Sequence, residues 1–212
     1  MEPVDTAPAP ELIEFGHLTI AFDDRVLRPR PWTEMQSRWA ADLLPALPEG
    51  RLLEVCAGAG HIGLLAVAGS GRSLLVVDAN EVACEFATEN AARADQEVEV
   101  RHGLMQEVLG ADERFALVIA DPPWVPSAET ALHPEDPLLA IDGGPDGLVL
   151  VRACLEVAGR HLLPEGASVL QVGGAAQVEA VERHVAERPD LDLAVVEHRL
   201  HERGALVLLR RR

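Results

Sequence analysis

From Leu52 onward the chain alternates short apolar runs with stretches whose apolar residues recur at helical spacing. That rhythm admits few folds. Apolar runs of strand length belong in a sheet covered by other elements, and a helix between consecutive runs is the connection that parallel strands require. The runs are Leu52 to Val55, Leu74 to Val77, Val98 to Arg101, Ala116 to Ala120 and Ser168 to Val172. Between them, Ile62 to Ala68, Glu81 to Ala94 and Leu148 to Leu163 carry one apolar face each, and Asp146 is placed to cap the last of these helices. A helix near Val178 to Glu187 then precedes two more strands, Leu193 to His198 and Ala205 to Leu209, joined by a charged turn. The pattern predicts an α/β fold with a seven-stranded, mostly parallel sheet, helices on both faces and a C-terminal antiparallel hairpin.

Residues 1–48 differ in texture. Met1 to Glu14 is acidic, contains proline and has no apolar run, and Thr19 to Phe22 reads as a short strand. The alternate prolines of Arg28-Pro29-Arg30-Pro31 forbid regular helix. Thr33 to Leu44 reads as a helix capped by Thr33. A segment this short cannot bury a core of its own, so residues 1–48 are expected to form a flap on the sheet edge over the functional site, and residues 49–212 the main domain.

Composition narrows the chemistry. All 18 basic residues are Arg and Tyr is absent, which removes Schiff-base or P-loop lysines and tyrosine acid–base catalysis. A formal charge of -17 repels phosphate backbones, so nucleic acid is a poor default partner. No segment reaches the roughly 20 apolar residues of a membrane span, so no membrane partner is expected. Cys56, Cys84 and Cys154 are odd in number and scattered, which fits reduced core thiols and the cytoplasm. No metal-ligand spacing stands out; His61 and His133 are the only histidines near the candidate site.

The segment Leu53-Glu54-Val55-Cys56-Ala57-Gly58-Ala59-Gly60-His61-Ile62-Gly63 is a strand, a small-residue turn and a helix start. Small residues let a ligand approach the backbone, and the first helical N–H groups attract an anionic group. Gly58, Gly60 and Gly63, with Asp78 twenty residues past Gly58, also satisfy a dinucleotide fingerprint, so an NAD-dependent oxidoreductase is one reading. Against it, Glu54 near the strand end would repel a pyrophosphate but welcome an ammonium group, and no catalytic pair for hydride transfer follows. Asp78 ends the second strand, where a carboxylate can accept both ribose hydroxyls; capping the helix from Asn80 or Glu81 is its plainer role.

Phe115 to Ala120 runs straight into Asp121-Pro122-Pro123-Trp124. The two prolines fix their φ angles and lack N–H donors, so this turn presents carbonyl oxygens and the Asp121 carboxylate. Asp121 and the Pro122 carbonyl suit the two N–H bonds of an amide or amine, aiming its nitrogen at an electrophile such as a sulfonium methyl. Trp124 is suited to stack on the planar group.

Taken together, Pro29-Arg30-Pro31-Trp32-Thr33-Glu34, the Glu54 to Gly63 loop, Asp78, Asp121 to Trp124 and Asp142-Gly143-Gly144-Pro145-Asp146-Gly147-Leu148 resemble the release-factor glutamine methyltransferase family, HemK/PrmC, over roughly Arg28 to Val172. The resemblance implies a Rossmann-like class I methyltransferase fold that uses S-adenosylmethionine and releases S-adenosylhomocysteine. It implies cofactor contacts from Arg30, Thr33, Glu54, Cys56, Ala57, Gly58, Gly60, Asp78, Ala79, Leu104 and Asp121. Glu54 and the Gly58–Gly60 backbone would lie at the methionine part and Asp78 at the ribose. Asp121 and Pro122 would be catalytic, with Trp32, Pro123 and Trp124 on the acceptor, a nitrogen of a protein side chain or a small molecule.

The departures are equally specific. Cys56 stands for the family's first loop glycine, Trp32 for an acid, Trp124 for a Tyr, and Leu104 for an acid that many relatives set against adenine. Cys56 and Leu104 keep open a third reading, a cofactor-binding protein without activity. The family's full-length members carry an N-terminal helical domain that recognises release factors, and residues 1–48 are expected to be too short to hold one, so the acceptor is not inherited from the resemblance. Some short relatives work with a small zinc-binding activator subunit, a partner the resemblance admits here.

Overall fold

The computed structural model describes residues 9–212; the expectations for residues 1–8 of the acidic N-terminus lie outside them. In chain order the flap contributes β1 (Glu11–Phe15), β2 (Leu18–Phe22) and α1 (Glu34–Leu43). The main unit then alternates β3 (Leu52–Val55), α2 (His61–Val67), β4 (Leu74–Asp78), α3 (Glu81–Arg93), β5 (Val98–His102), the short α4 (Met105–Val108) and β6 (Phe115–Ala120). After a long loop holding α5 (Leu138–Ile141) come α6 (Val149–His161), β7 (Leu162–Val172), α7 (Ala175–Glu187), β8 (Leu193–His201) and β9 (Gly204–Arg211).

Seven strands pair in the order β5-β4-β3-β6-β7-β9-β8. The first five run parallel, and β9 pairs antiparallel with both β7 and β8, as the pattern predicts. All six residues of β6 are buried, which explains its unbroken apolar run. Alternation along the strands divides the core. Leu52, Leu74, Val76 and Ile119 face α2 and α3, while Leu53, Val55, Leu75, Val77 and Val118 face α6 and α7. Each fully buried Leu or Ile contributes about 1.5–3 kcal/mol.

Strand order reverses between β3 and β6, which pair up to Val55 opposite Ala120. The turn after β3 and the turn after β6 therefore leave the sheet side by side at its carboxyl edge, where open α/β sheets bind ligands.

The flap does not sit on the sheet edge. Phe15, Ile20, Phe22 and Trp39 share one core with Leu52 and Leu74, and α1 packs on α2. Gln36 of α1 is fully buried and its Nε2 donates to the carbonyls of Ala120 and Val169, at 2.9 and 3.0 Å, fastening α1 to the end of β6 and to β7. Asn90 of α3 accepts from Ala21 N at 2.7 Å and donates to Ala21 O and Ala59 O, tying β2 to the glycine turn.

Several local expectations change. Glu11–Phe15 is a strand, paired with β2 as a hairpin. Thr33 closes a 3-10 turn (Pro31–Thr33), and its hydroxyl donates back to Arg30 O at 2.8 Å, so it leaves α1 without a side-chain cap. Asp146 accepts from Leu148 N at 3.1 Å ahead of α6, whose own cap position, Leu148, has no side-chain bond. Leu162 and Leu163 belong to β7 because α6 ends at His161.

Candidate active site

The β3 turn begins with Cys56 at φ 54°, a left-handed conformation that costs a non-glycine residue about 1–2 kcal/mol. Gly58 N donates to Asp78 Oδ2 at 2.8 Å, and Asn80 N donates to Asp78 Oδ1 at 2.8 Å. Asn80, not Asp78, caps α3 by accepting from Val82 N at 3.0 Å. Each Asp78 oxygen keeps a further lone pair for a ligand hydroxyl. Burial raises the Asp78 carboxyl above its ordinary range, opposed by those main-chain donors.

An open cavity lies above this turn. Arg30, Thr33, Cys56, Ala57, Gly58, Asp78, Ala79, Leu104 and Asp121 all line it. Glu54 and Gly60, the other two expected cofactor residues, are not in its lining. Glu54 is 1% exposed, both of its oxygens lack a hydrogen-bond partner, and burial pushes its carboxyl up to about 8.

The arrangement suits S-adenosylmethionine. Leu104, 52% exposed, and Leu139 of α5 are apolar members of the lining, suited to contact with an adenine ring. Asp78 offers a bidentate acceptor for the ribose, and Ala57 and Gly58 leave room for a chain running across the turn. His61 also lines the cavity. It stacks edge-on against Phe15, its Nδ1 lacks a partner, and burial lowers its pKa to about 3, keeping it neutral.

A second cavity adjoins the first, sharing Leu27, Arg30, Thr33, Asp121, Pro123 and Ala140. All five residues expected at the acceptor line it: Trp32, Asp121, Pro122, Pro123 and Trp124. Burial pushes the Asp121 carboxyl up to about 7. Gln177 fixes the turn after β6 by donating to Trp124 O at 2.9 Å, and Val125 N donates to Ile141 O at 3.0 Å. Arg30 pairs with Asp136 across the mouth, joining the flap to the loop after β6.

Outside the Asp142 to Leu148 motif and His133, this loop carries no period that marks an element, so the contribution of Asp136, Ala140 and Ile141 has no signal in the sequence. Gln171 and Arg203 also line the second cavity without belonging to any motif. His133, Glu135 and Asp136 bring ligand-type atoms within 4.8 Å of one another, a grouping not expected from spacing. Asp136 is already engaged by Arg30.

The antiparallel β9 inserted between β7 and β8 departs from the all-parallel 3-2-1-4-5-6 order of dinucleotide-binding sheets, so the NAD reading of the glycine turn is not favoured. Strand order, the glycine turn with Asp78 and the two joined cavities at the carboxyl edge define the architecture of a class I methyltransferase domain.

Comparison with known proteins places it further. The methyltransferase small domain family matches residues 35–139. The release factor glutamine methyltransferase of Deinococcus radiodurans is 32% identical over 190 residues, covering 84% of this chain and 68% of that protein. The ribosomal protein uL3 glutamine methyltransferase of Bradyrhizobium diazoefficiens is 36% identical over 130 residues, covering 58% and 40%. A methyltransferase structure from Pyrococcus furiosus shares the fold with a TM-score of 0.68 and 19% identity, covering 92% and 90%. The chain belongs to the release factor glutamine methyltransferase family. It spans about half to three quarters of the length of its release factor relatives, from 53% to 72%.

Proposed function

We propose that this protein transfers a methyl group from S-adenosylmethionine to a side-chain amide nitrogen of a protein. The observation that carries this reading is that Asp121 lines both cavities, between the cofactor side and the acceptor side. The named activities of the relatives, on glutamine in release factors and in ribosomal protein uL3, support an amide on a protein.

The cofactor supplies an electrophilic methyl group on a sulfonium. In this reading the acceptor amide donates its two N–H bonds to Asp121 and the Pro122 carbonyl, and Trp124 covers its plane. With the cofactor held in the first cavity, its sulfonium methyl would be the electrophile toward which Asp121 and the Pro122 carbonyl aim the amide nitrogen. The nitrogen then loses one proton, which the Asp121 carboxylate is placed to accept. Alignment and removal of water supply most of the rate.

The net charge of -17 argues against nucleic acid as acceptor. No described helix is long and apolar enough to cross a membrane. The reading places the protein in the cytoplasm, where the free thiols of Cys56, Cys84 and Cys154 stay reduced.

The test is to incubate a cell lysate with the protein and methyl-labelled cofactor, then locate the label by mass spectrometry. Label on a glutamine or asparagine amide of a protein is the expected result. Trp124→Ala should keep S-adenosylhomocysteine binding and lose transfer, and Asp121→Ala should lose transfer; full activity in both would sink the mechanism. Transfer that appears only after adding a small protein fraction would assign an activator subunit to this chain.

A further inference from the structure

The acceptor cavity has one wall that no motif accounts for. It is built from Gln171 at the end of β7 and Arg203 in the turn between β8 and β9. The turn is fixed in place. Gln171 is 2% exposed, its Oε1 lies 3.3 Å from His201 Nε2, and its Nε2 donates to Val172 O at 3.1 Å. Arg203 N donates to His201 Nδ1 at 3.3 Å, which requires the neutral ring with its proton on Nε2, facing Gln171. Burial lowers the His201 pKa, in keeping with that form. Gly204, at φ 150°, lets the turn close on β7: a Cβ there would lie 2.5 Å from Val172 O.

This scaffold presents the Arg203 guanidinium at the cavity mouth, 5.5 Å from the centre of the Trp32 ring. Arg30 lies at the same distance from that ring, but it is paired with Asp136. Arg203 meets no carboxylate among the described residues. What sets Arg203 apart is its place on the wall of the acceptor cavity, where no carboxylate of the described residues neutralises it. Trp32 restrains the guanidinium by cation–π contact while leaving its N–H fork open.

We propose that Arg203 is an acceptor-specificity residue that binds a carbonyl or carboxylate oxygen of the methyl acceptor, beyond the nitrogen held at Asp121. The inference rests on the function proposed above. It adds a second anchor, so that the acceptor is read at two points, the nitrogen at the β6 turn and an oxygen at the C-terminal hairpin.

The experiment measures transfer against acceptor concentration, using the acceptor fraction labelled by wild-type protein in lysate. Arg203→Gln should raise the half-saturating acceptor concentration at least tenfold, with the maximal rate and S-adenosylhomocysteine affinity within about twofold of wild type. Arg203→Lys, which keeps the charge without the fork, should fall between. Unchanged half-saturation in Arg203→Gln overturns the assignment. So does loss of S-adenosylhomocysteine binding in both variants, which would make Arg203 a structural residue. A wild type that labels no amide nitrogen overturns the functional reading instead, so the two failures are distinct.

Discussion

Gly58 N donates to Asp78 Oδ2 at 2.8 Å, so the glycine turn after β3 is held by the carboxylate that ends β4. One side chain thereby shapes the turn and faces the cofactor cavity. Asp78→Ala removes both functions. The expected result is a loss of S-adenosylhomocysteine affinity of at least tenfold, about 1.4 kcal/mol, by calorimetric titration. Removing an acceptor from two main-chain donors should also lower stability by about 1–3 kcal/mol in urea unfolding. Unchanged affinity would remove Asp78 from the cofactor site.

Glu54 makes stability depend on pH. Its carboxyl, ordinarily near 4.5, titrates at about 8 in the folded protein because burial disfavours the charge. Between those values the folded state holds a proton that the unfolded state has lost, so stability falls as pH rises through this window. The slope for this group approaches about 1.4 kcal/mol per pH unit. Glu54→Gln, which cannot ionise, should match wild type in urea unfolding near pH 5 and exceed it by pH 8. Parallel curves for the two proteins would rule out this titration.

Burial explains what the sequence displayed. Strands β3, β4, β6 and β7 were legible because their apolar runs are buried, and helices α3 and α6 because each has one buried face. Strand β1 left no signal because it continues an acidic, proline-bearing segment without an apolar run, and only its last residue, Phe15, is buried. The turns carrying Asp78 and Asp121 were legible because each continues a strand. Arg203 and Gln171 were not, since they reach the second cavity from a strand end and a hairpin turn with no local pattern. Thr33 looked like a helix cap, but the preceding Pro31 starts a 3-10 turn that draws its hydroxyl back to Arg30.

Gly147 couples the Asp142 to Leu148 motif to the catalytic turn. It sits at φ 71°, and a Cβ there would strike Trp124 O and approach Gln177 Nε2 to 2.6 Å, the two groups whose hydrogen bond holds the turn. Gly147→Ala should cost about 2 to 4 kcal/mol from backbone strain and crowding together. Displacing Trp124 should also lower methyl transfer while S-adenosylhomocysteine binding persists. A variant with normal unfolding and normal turnover would show that the turn tolerates the shift.

Asp121 gives the reaction its own pH dependence. Burial raises its carboxyl to about 7, so near pH 6 most of it is protonated and presents a donor where the acceptor amide needs an acceptor. The rate at low acceptor concentration should therefore rise between pH 6 and 8 and level off above. A bound sulfonium favours the carboxylate form, so with saturating cofactor the midpoint should fall at or below about 7. Asp121→Asn separates charge from geometry. Its amide oxygen can still accept one N–H bond but does not titrate, so the variant should retain reduced activity with a flat profile across this range. A wild-type profile that is itself flat, or a sloping profile that survives in Asp121→Asn, would assign the titration to another group and remove Asp121 as the residue whose ionisation gates the acceptor.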